Sequence, residues 1–108
     1  MPDTGAVKAR LEAQLAELKD RGQRVASDLA EPLNPDLAEQ AVEMEDDASL
    51  HAQAALIARE IASVTRAMLR IEQGSYGECV RCGHEIAPKR LEARPEAALC
   101  FACASREQ

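Results

Sequence analysis

Cys79, Cys82, Cys100 and Cys103 are the residues of this chain whose type and spacing can do chemistry. They form two Cys-x2-Cys pairs with 17 residues between them. A two-residue spacer lets one tight turn aim both sulfurs at a single ion. Two such pairs about 15–20 residues apart read as a tetrahedral zinc site. Gly83, directly after the first pair, suits the backbone twist that such a turn requires. Two alternatives weigh less. A pair of disulfides needs an oxidising compartment, and Met1–Arg10 carries charges and no apolar run, so no secretory leader is expected. A redox Cys-x2-Cys needs one pair beside a strand–helix pattern, which is missing. Four thiolates leave the metal no open position, so one structural Zn2+ is expected rather than a hydrolytic centre.

The segment around these cysteines needs a metal. From Gly74 onward its apolar content is Tyr76, Val80, Ile86, Leu91, Leu99, Phe101 and a few alanines. A unit of about 35 residues buries too little surface to fold on that alone. Structural zinc supplies an apparent ~10–16 kcal/mol coupled to folding. The whole chain has 108 residues, 2% of them aromatic. That leaves room for the zinc unit and one simple element built by helix-on-helix burial of Leu, Ile, Val and Ala.

The elements that must position the cysteines are helical. Leu11, Leu15, Leu18, Gly22, Val25 and Leu29 alternate steps of four and three, a heptad seam with one weak position at Gly22. Leu50, Ala54, Ile57, Ile61, Val64, Met68 and Ile71 repeat the pattern. Between the two runs, Pro32-Leu33-Asn34-Pro35 stops a helix, with Asn34 placed to cap the next one and Pro35 to open it. Gly74 is a natural stop. The spacing predicts a mainly α protein: an antiparallel two-helix coiled-coil hairpin over 1–73, with a second helix over 36–73, then a small four-cysteine zinc-finger unit over 74–108. Toward the tip, near 31–47, the seam shifts to Leu37, Ala41, Met44 and Ala48 and its packing is expected to loosen.

The formal net charge is −6. From Val25 to Ala58 there are eight acids and no Lys or Arg, so this stretch is −8 and the remainder is +2. Nucleic acid requires a basic face that displaces counterions from phosphate, and none is evident. An acidic tip suits a basic cavity in a protein partner. Equally, Asp36 and Glu39 are ordinary acids at the positive end of a helix dipole. Charge alone does not separate these readings.

A resemblance adds to them. Gly74-x-Tyr76-Gly77-x-Cys79-x2-Cys82-Gly83-x2-Ile86, then Arg90-Leu91-Glu92-Ala93-Arg94-Pro95, then Cys100-x2-Cys103, resembles the zinc-finger signature of the DksA/TraR family, the DnaK-suppressor type of transcription factor. The hairpin with its acidic tip is similar too. The resemblance implies a regulator that binds bacterial RNA polymerase directly, not DNA, and inserts its coiled-coil tip into the secondary channel. The family's tip motif, Asp-x-x-Asp-x-Ala, falls on Asp36, Glu39 and Ala41. Asp36 and Ala41 match it, and Glu39 keeps the charge on a side chain one methylene longer. These three are the expected partner-binding residues. The family's best-known members also bind guanosine tetraphosphate, the alarmone of the stringent response, through basic residues. Leu56, Ser63 and Ala104 stand at those positions here and only Arg94 is retained, so shared alarmone binding is not expected.

The remaining candidates are bland. His84 is expected to be exposed, since four cysteines already suffice. His51 is a seam or surface residue, and Tyr76 and Phe101 are expected to pack the zinc unit. Two other classes of function stay open: a nucleic-acid-binding zinc module using Arg81, Lys89, Arg90 and Arg94, and a coiled-coil adaptor for another protein. No nucleophile–base pair or Gly-rich phosphate loop marks an enzyme. No apolar stretch reaches the ~18–20 residues of a membrane span, and a cytoplasmic monomer is expected.

Overall fold

A computed structural model describes residues 3–31 and 36–107, without the side chains of residues 37, 38, 41 and 42. It contains α1 (Thr4–Leu29), α2 (Leu37–Gln73), α3 (Pro88–Ala93) and α4 (Phe101–Arg106). Mainly helical architecture, with the two long helices against each other and the cysteine cluster after them, is as expected. No helix among the described residues is long and apolar enough to cross a membrane. Asp3 caps α1, its Oδ1 accepting from the backbone N–H of Gly5 at 3.0 Å and of Ala6 at 3.3 Å. At the start of α2 the cap is Asp36, whose Oδ1 accepts from the Glu39 N–H at 3.2 Å. The predicted cap Asn34 and the Pro32–Pro35 bend lie outside the described residues. Gly74, at φ +77°, ends α2. The N–H of Ser75 returns to the Arg70 carbonyl at 2.9 Å and that of Gly74 to Ile71 at 3.2 Å. This is the paired bonding of a Schellman ending, which needs a residue tolerant of positive φ.

The chain divides into two compact units. One joins Met1–Leu15 to Ala62–Gln108 and the other is Ala16–Ile61. In the second, Leu18, Val25 and Ile57 are buried, while Leu50, Ala54 and Ile61 are half-buried. The weak seam position Gly22 lies opposite Ile57: a Cβ there would meet Ile57 Cγ2 at 3.5 Å. Met44 is 59% exposed and Ala48 is exposed, so the described positions of the shifted seam do not reach a core.

In the first unit the start of α1 lies beside the end of α2, as antiparallel helices require. Leu11, Val64 and Ala67 are fully buried (0% exposed), with Met68 and Ile71 half-buried. Ala67 is absent from the predicted seam, which has Met68 at that turn. A small residue can sit deepest in a tight helix pair, and the longer Met68 reaches in from beside it. Val7 from α1 and Ile71 from α2 both pack against the cluster Tyr76, Cys79, Ile86, Leu91 and Cys103. The helix ends and the cysteines therefore share one core.

Candidate metal centre

Two turns present the four thiols. In the first, Glu78 and Glu85 form an isolated antiparallel bridge. The Cys79 N–H donates to the His84 carbonyl at 2.8 Å, and the Gly83 N–H returns to Cys79 at 2.9 Å. Gly83 takes φ +78°, the left-handed conformation expected of it. The second turn is the start of α4. Cys100 is its N-cap residue with extended backbone, and Cys103 lies one turn on. The Val80 N–H ties the first turn to the Ala98 carbonyl at 2.9 Å, and Arg90 Nε on α3 holds the Leu99 carbonyl, just before the second turn, at 2.9 Å.

The sulfurs of Cys79, Cys82, Cys100 and Cys103 all lie within 4.8 Å of one another, and those of Cys82 and Cys100 are 3.7 Å apart. A regular tetrahedron with zinc–sulfur bonds of about 2.3 Å has edges of about 3.8 Å. The cluster fits one four-coordinate ion. Cys79 and Cys103 are buried, Cys100 is half-buried and Cys82 is exposed, so the site has an inner edge in the core and an outer edge facing solvent.

The local electrostatics prepare thiolates unevenly. Backbone N–H groups of Cys82 and then Cys100 aim at Cys79 and pull its thiol down to about 5. The N–H of Cys103 lowers the Cys100 thiol. Burial, followed by the neighbouring thiols, pushes Cys103 up to about 12. Four like charges this close oppose one another, and a divalent cation is what lets all four ionise together. His84 is exposed, with Nδ1 3.3 Å from the Cys82 sulfur, within reach to support that ligand from outside the donor set.

Sequence reasoning missed the groups that fasten the finger. The Tyr76 hydroxyl donates to the Pro95 carbonyl at 2.8 Å in a buried bond, and burial raises its phenol above the ordinary range. Arg10 Nη1 on α1 donates to the Glu92 carbonyl at 2.9 Å, and Arg70 Nη2 on α2 lies 3.4 Å from the carbonyls of Glu96 and Ala97. No spacing marks an arginine that caps a carbonyl from another element. Phe101, expected inside the finger, is 75% exposed, and Val80 is 62% exposed. Each directly follows a cysteine whose sulfur points inward, and the next side chain along the turn is directed away.

At the acidic start of α2, the capping Asp36 and the first-turn Glu39 are exposed, and the Ala41 side chain lies outside the described residues. Of the four cations in the nucleic-acid alternative, Arg81 pairs with Glu107, Arg90 is bonded to Leu99 and Arg94 lies 3.6 Å from Glu96. Only Lys89 among them has no such contact in the described residues, which is too little for a phosphate-binding face.

Residues 7–71 match the DnaK suppressor protein-like N-terminal domain, and residues 74–108 match the prokaryotic DksA/TraR C4-type zinc finger. The RNA polymerase-binding transcription factor DksA of Escherichia coli K12 is 42% identical over 43 residues, 40% of this chain and 28% of that protein. The factor of the same name from Caulobacter vibrioides is 40% identical over 48 residues, 44% of this chain and 34% of that one. The matched stretch thus spans about a third or less of these curated relatives. Among solved structures, transcription factor DksA2 from Pseudomonas aeruginosa superposes with a TM-score of 0.82 at 26% identity, covering 95% of this chain and 81% of its own. The DnaK suppressor protein from Agrobacterium tumefaciens C58 gives 0.68 at 31% identity, covering 96% and 93%. With family matches on both its helical and its cysteine-bearing parts, and with four thiols gathered for one structural zinc, the chain belongs to the DksA/TraR family.

Proposed function

We propose that this protein regulates transcription by binding bacterial RNA polymerase directly, with the turn that opens α2 entering the secondary channel and Asp36, Glu39 and Ala41 making the contacts there. Cys79, Cys82, Cys100 and Cys103 hold the zinc that fixes the ends of α1 and α2. The protein contributes no catalytic group and works as a monomer.

The observation that carries this reading is the exposed pair of carboxylates at the start of α2, one on its cap and one on its first turn, in a chain whose family includes factors named for polymerase binding. Residues three apart share a helix face, so both acids meet a partner together. The engagement of Arg81, Arg90 and Arg94 within the finger speaks against a nucleic-acid module.

Asp36→Asn is the discriminating variant. Asp36 caps α2, and asparagine caps about as well, so the change removes charge while keeping the helix start. Open-complex lifetime on a sensitive promoter should lose its response to Asp36→Asn while polymerase pull-down is retained. Full regulatory activity of the variant would refute the tip assignment.

A further inference from the structure

Between the start of α1 and the finger lies a cleft of about 650 Å³, within the range of about 300–1,000 Å³ typical of ligand sites. No cysteine lines it, and neither Asp36 nor Glu39 does, so it is separate from both the zinc site and the polymerase-directed turn. Its accessible apolar surface comes from Ala6 and Val7 of α1 and Pro88 at the start of α3, backed by the buried finger side chains Tyr76, Ile86 and Leu91. Glu78, Glu85 and Glu92 stand at its edge, all exposed, and among the described residues none of the three side chains takes part in an ion pair. Asp3 adds a fourth carboxylate, already accepting two backbone N–H groups. The one cation in the lining, Arg10, is bonded to the Glu92 carbonyl. At Gly83 the wall is bare: a Cβ there would meet nothing within 4 Å.

An anion is the wrong occupant for four carboxylates and one committed guanidinium, which excludes nucleotides and phosphates from this cleft. An uncharged apolar molecule would leave the acids unused. We infer that the cleft docks a short polypeptide segment of a partner protein, with one aliphatic or aromatic side chain laid on Ala6, Val7 and Pro88 and flanking Lys or Arg residues paired with Glu78, Glu85 and Glu92. The bare wall at Gly83 lets the segment's backbone pass close to the finger. Apolar contact supplies the affinity, and the carboxylates select the partner's charge.

The test uses the zinc-loaded full chain and a tetrapeptide of Lys, Leu, Trp and Arg with blocked ends. The protein has no tryptophan, so the peptide's own fluorescence reports binding. Saturable binding is expected, with amide shifts in a nitrogen-15 spectrum at Val7, Gly77, Ile86 and Leu91. A peptide with Glu in place of Lys and Arg should bind at least about five-fold more weakly. Glu78→Gln with Glu85→Gln, both at exposed positions, should weaken the basic peptide by about the same factor. No saturation by millimolar peptide overturns the inference. So does equal binding of the acidic peptide, or shifts centred on α2 away from the cleft. Shifts that follow protein concentration without peptide would make the cleft a contact between copies, and the proposal would fail.

Discussion

Tyr76 shows what one side chain contributes to a finger that has few apolar residues. Its ring is buried in the cluster around Cys79 and Cys103, and its hydroxyl is the buried donor to Pro95. Tyr76→Phe keeps the ring and leaves that carbonyl without its partner, which should cost about 1 kcal/mol in chemical denaturation of the zinc-loaded protein. The same residue gives an alkaline signature. Burial raises the phenol above its ordinary value of 10, so the fold prefers the neutral form. That preference is fully present below about pH 10 and is lost as pH rises through the folded value. Stability of the native chain should therefore fall more steeply above pH 10 than that of Tyr76→Phe. Parallel profiles would show that Tyr76 does not titrate with unfolding. The sequence placed Tyr76 in the packing of the finger because an aromatic platform for bases would need flanking cations. It could not supply Pro95 as the acceptor, because a carbonyl 19 residues away carries no side-chain signal.

At the level of the helices, the heptad spacing was enough to find the seam, and the structure buries Leu11, Leu18 and Val25 on α1 and Ile57 and Val64 on α2. Gly22 is the seam's defect, since glycine costs about 1 kcal/mol in a helix interior relative to alanine. The structure shows that the defect can be repaired. A Cβ would meet Ile57 Cγ2 at 3.5 Å, ordinary van der Waals contact, and nothing must move. Gly22→Ala should stabilise the protein by about 1 kcal/mol, read as a higher denaturant midpoint with unchanged slope. A lower midpoint would mean that the helices need the closer approach that glycine allows. Whether a seam glycine is a spacer or a weakness is a question about the opposite helix, and spacing on one helix does not answer it.

For the molecule as a whole, the zinc cluster shares its core with the helix ends, since Val7 and Ile71 lie against the same group as Cys79 and Cys103. Chelation should thus loosen more than the cysteine segment. Hydrogen exchange after metal removal should accelerate over residues 74–107 and also over the first turns of α1, with less change over Ala16–Ile61. Protection that stays unchanged after confirmed zinc loss would show that the apolar core alone holds this unit. Acceleration confined to 74–107 would show that the contacts of Val7, Arg10 and Arg70 are too weak to couple the helices to the metal.

Sequence by itself determined the metal chemistry, the helical pair and the ending at Gly74, because each rests on local rules. A two-residue spacer aims two sulfurs, a 3.5-residue repeat makes a stripe, and positive φ selects glycine. It also located the acidic start of α2, where the structure adds a cap from Asp36. Only the tertiary structure decided that Phe101 and Val80 face solvent, that Arg10 and Arg70 reach the finger's carbonyls, and that Val7 and the finger enclose a cleft. Those facts depend on which surfaces meet in the folded chain, at separations from 26 residues for Arg70 and Glu96 to 82 for Arg10 and Glu92, and no local pattern of side chains encodes them.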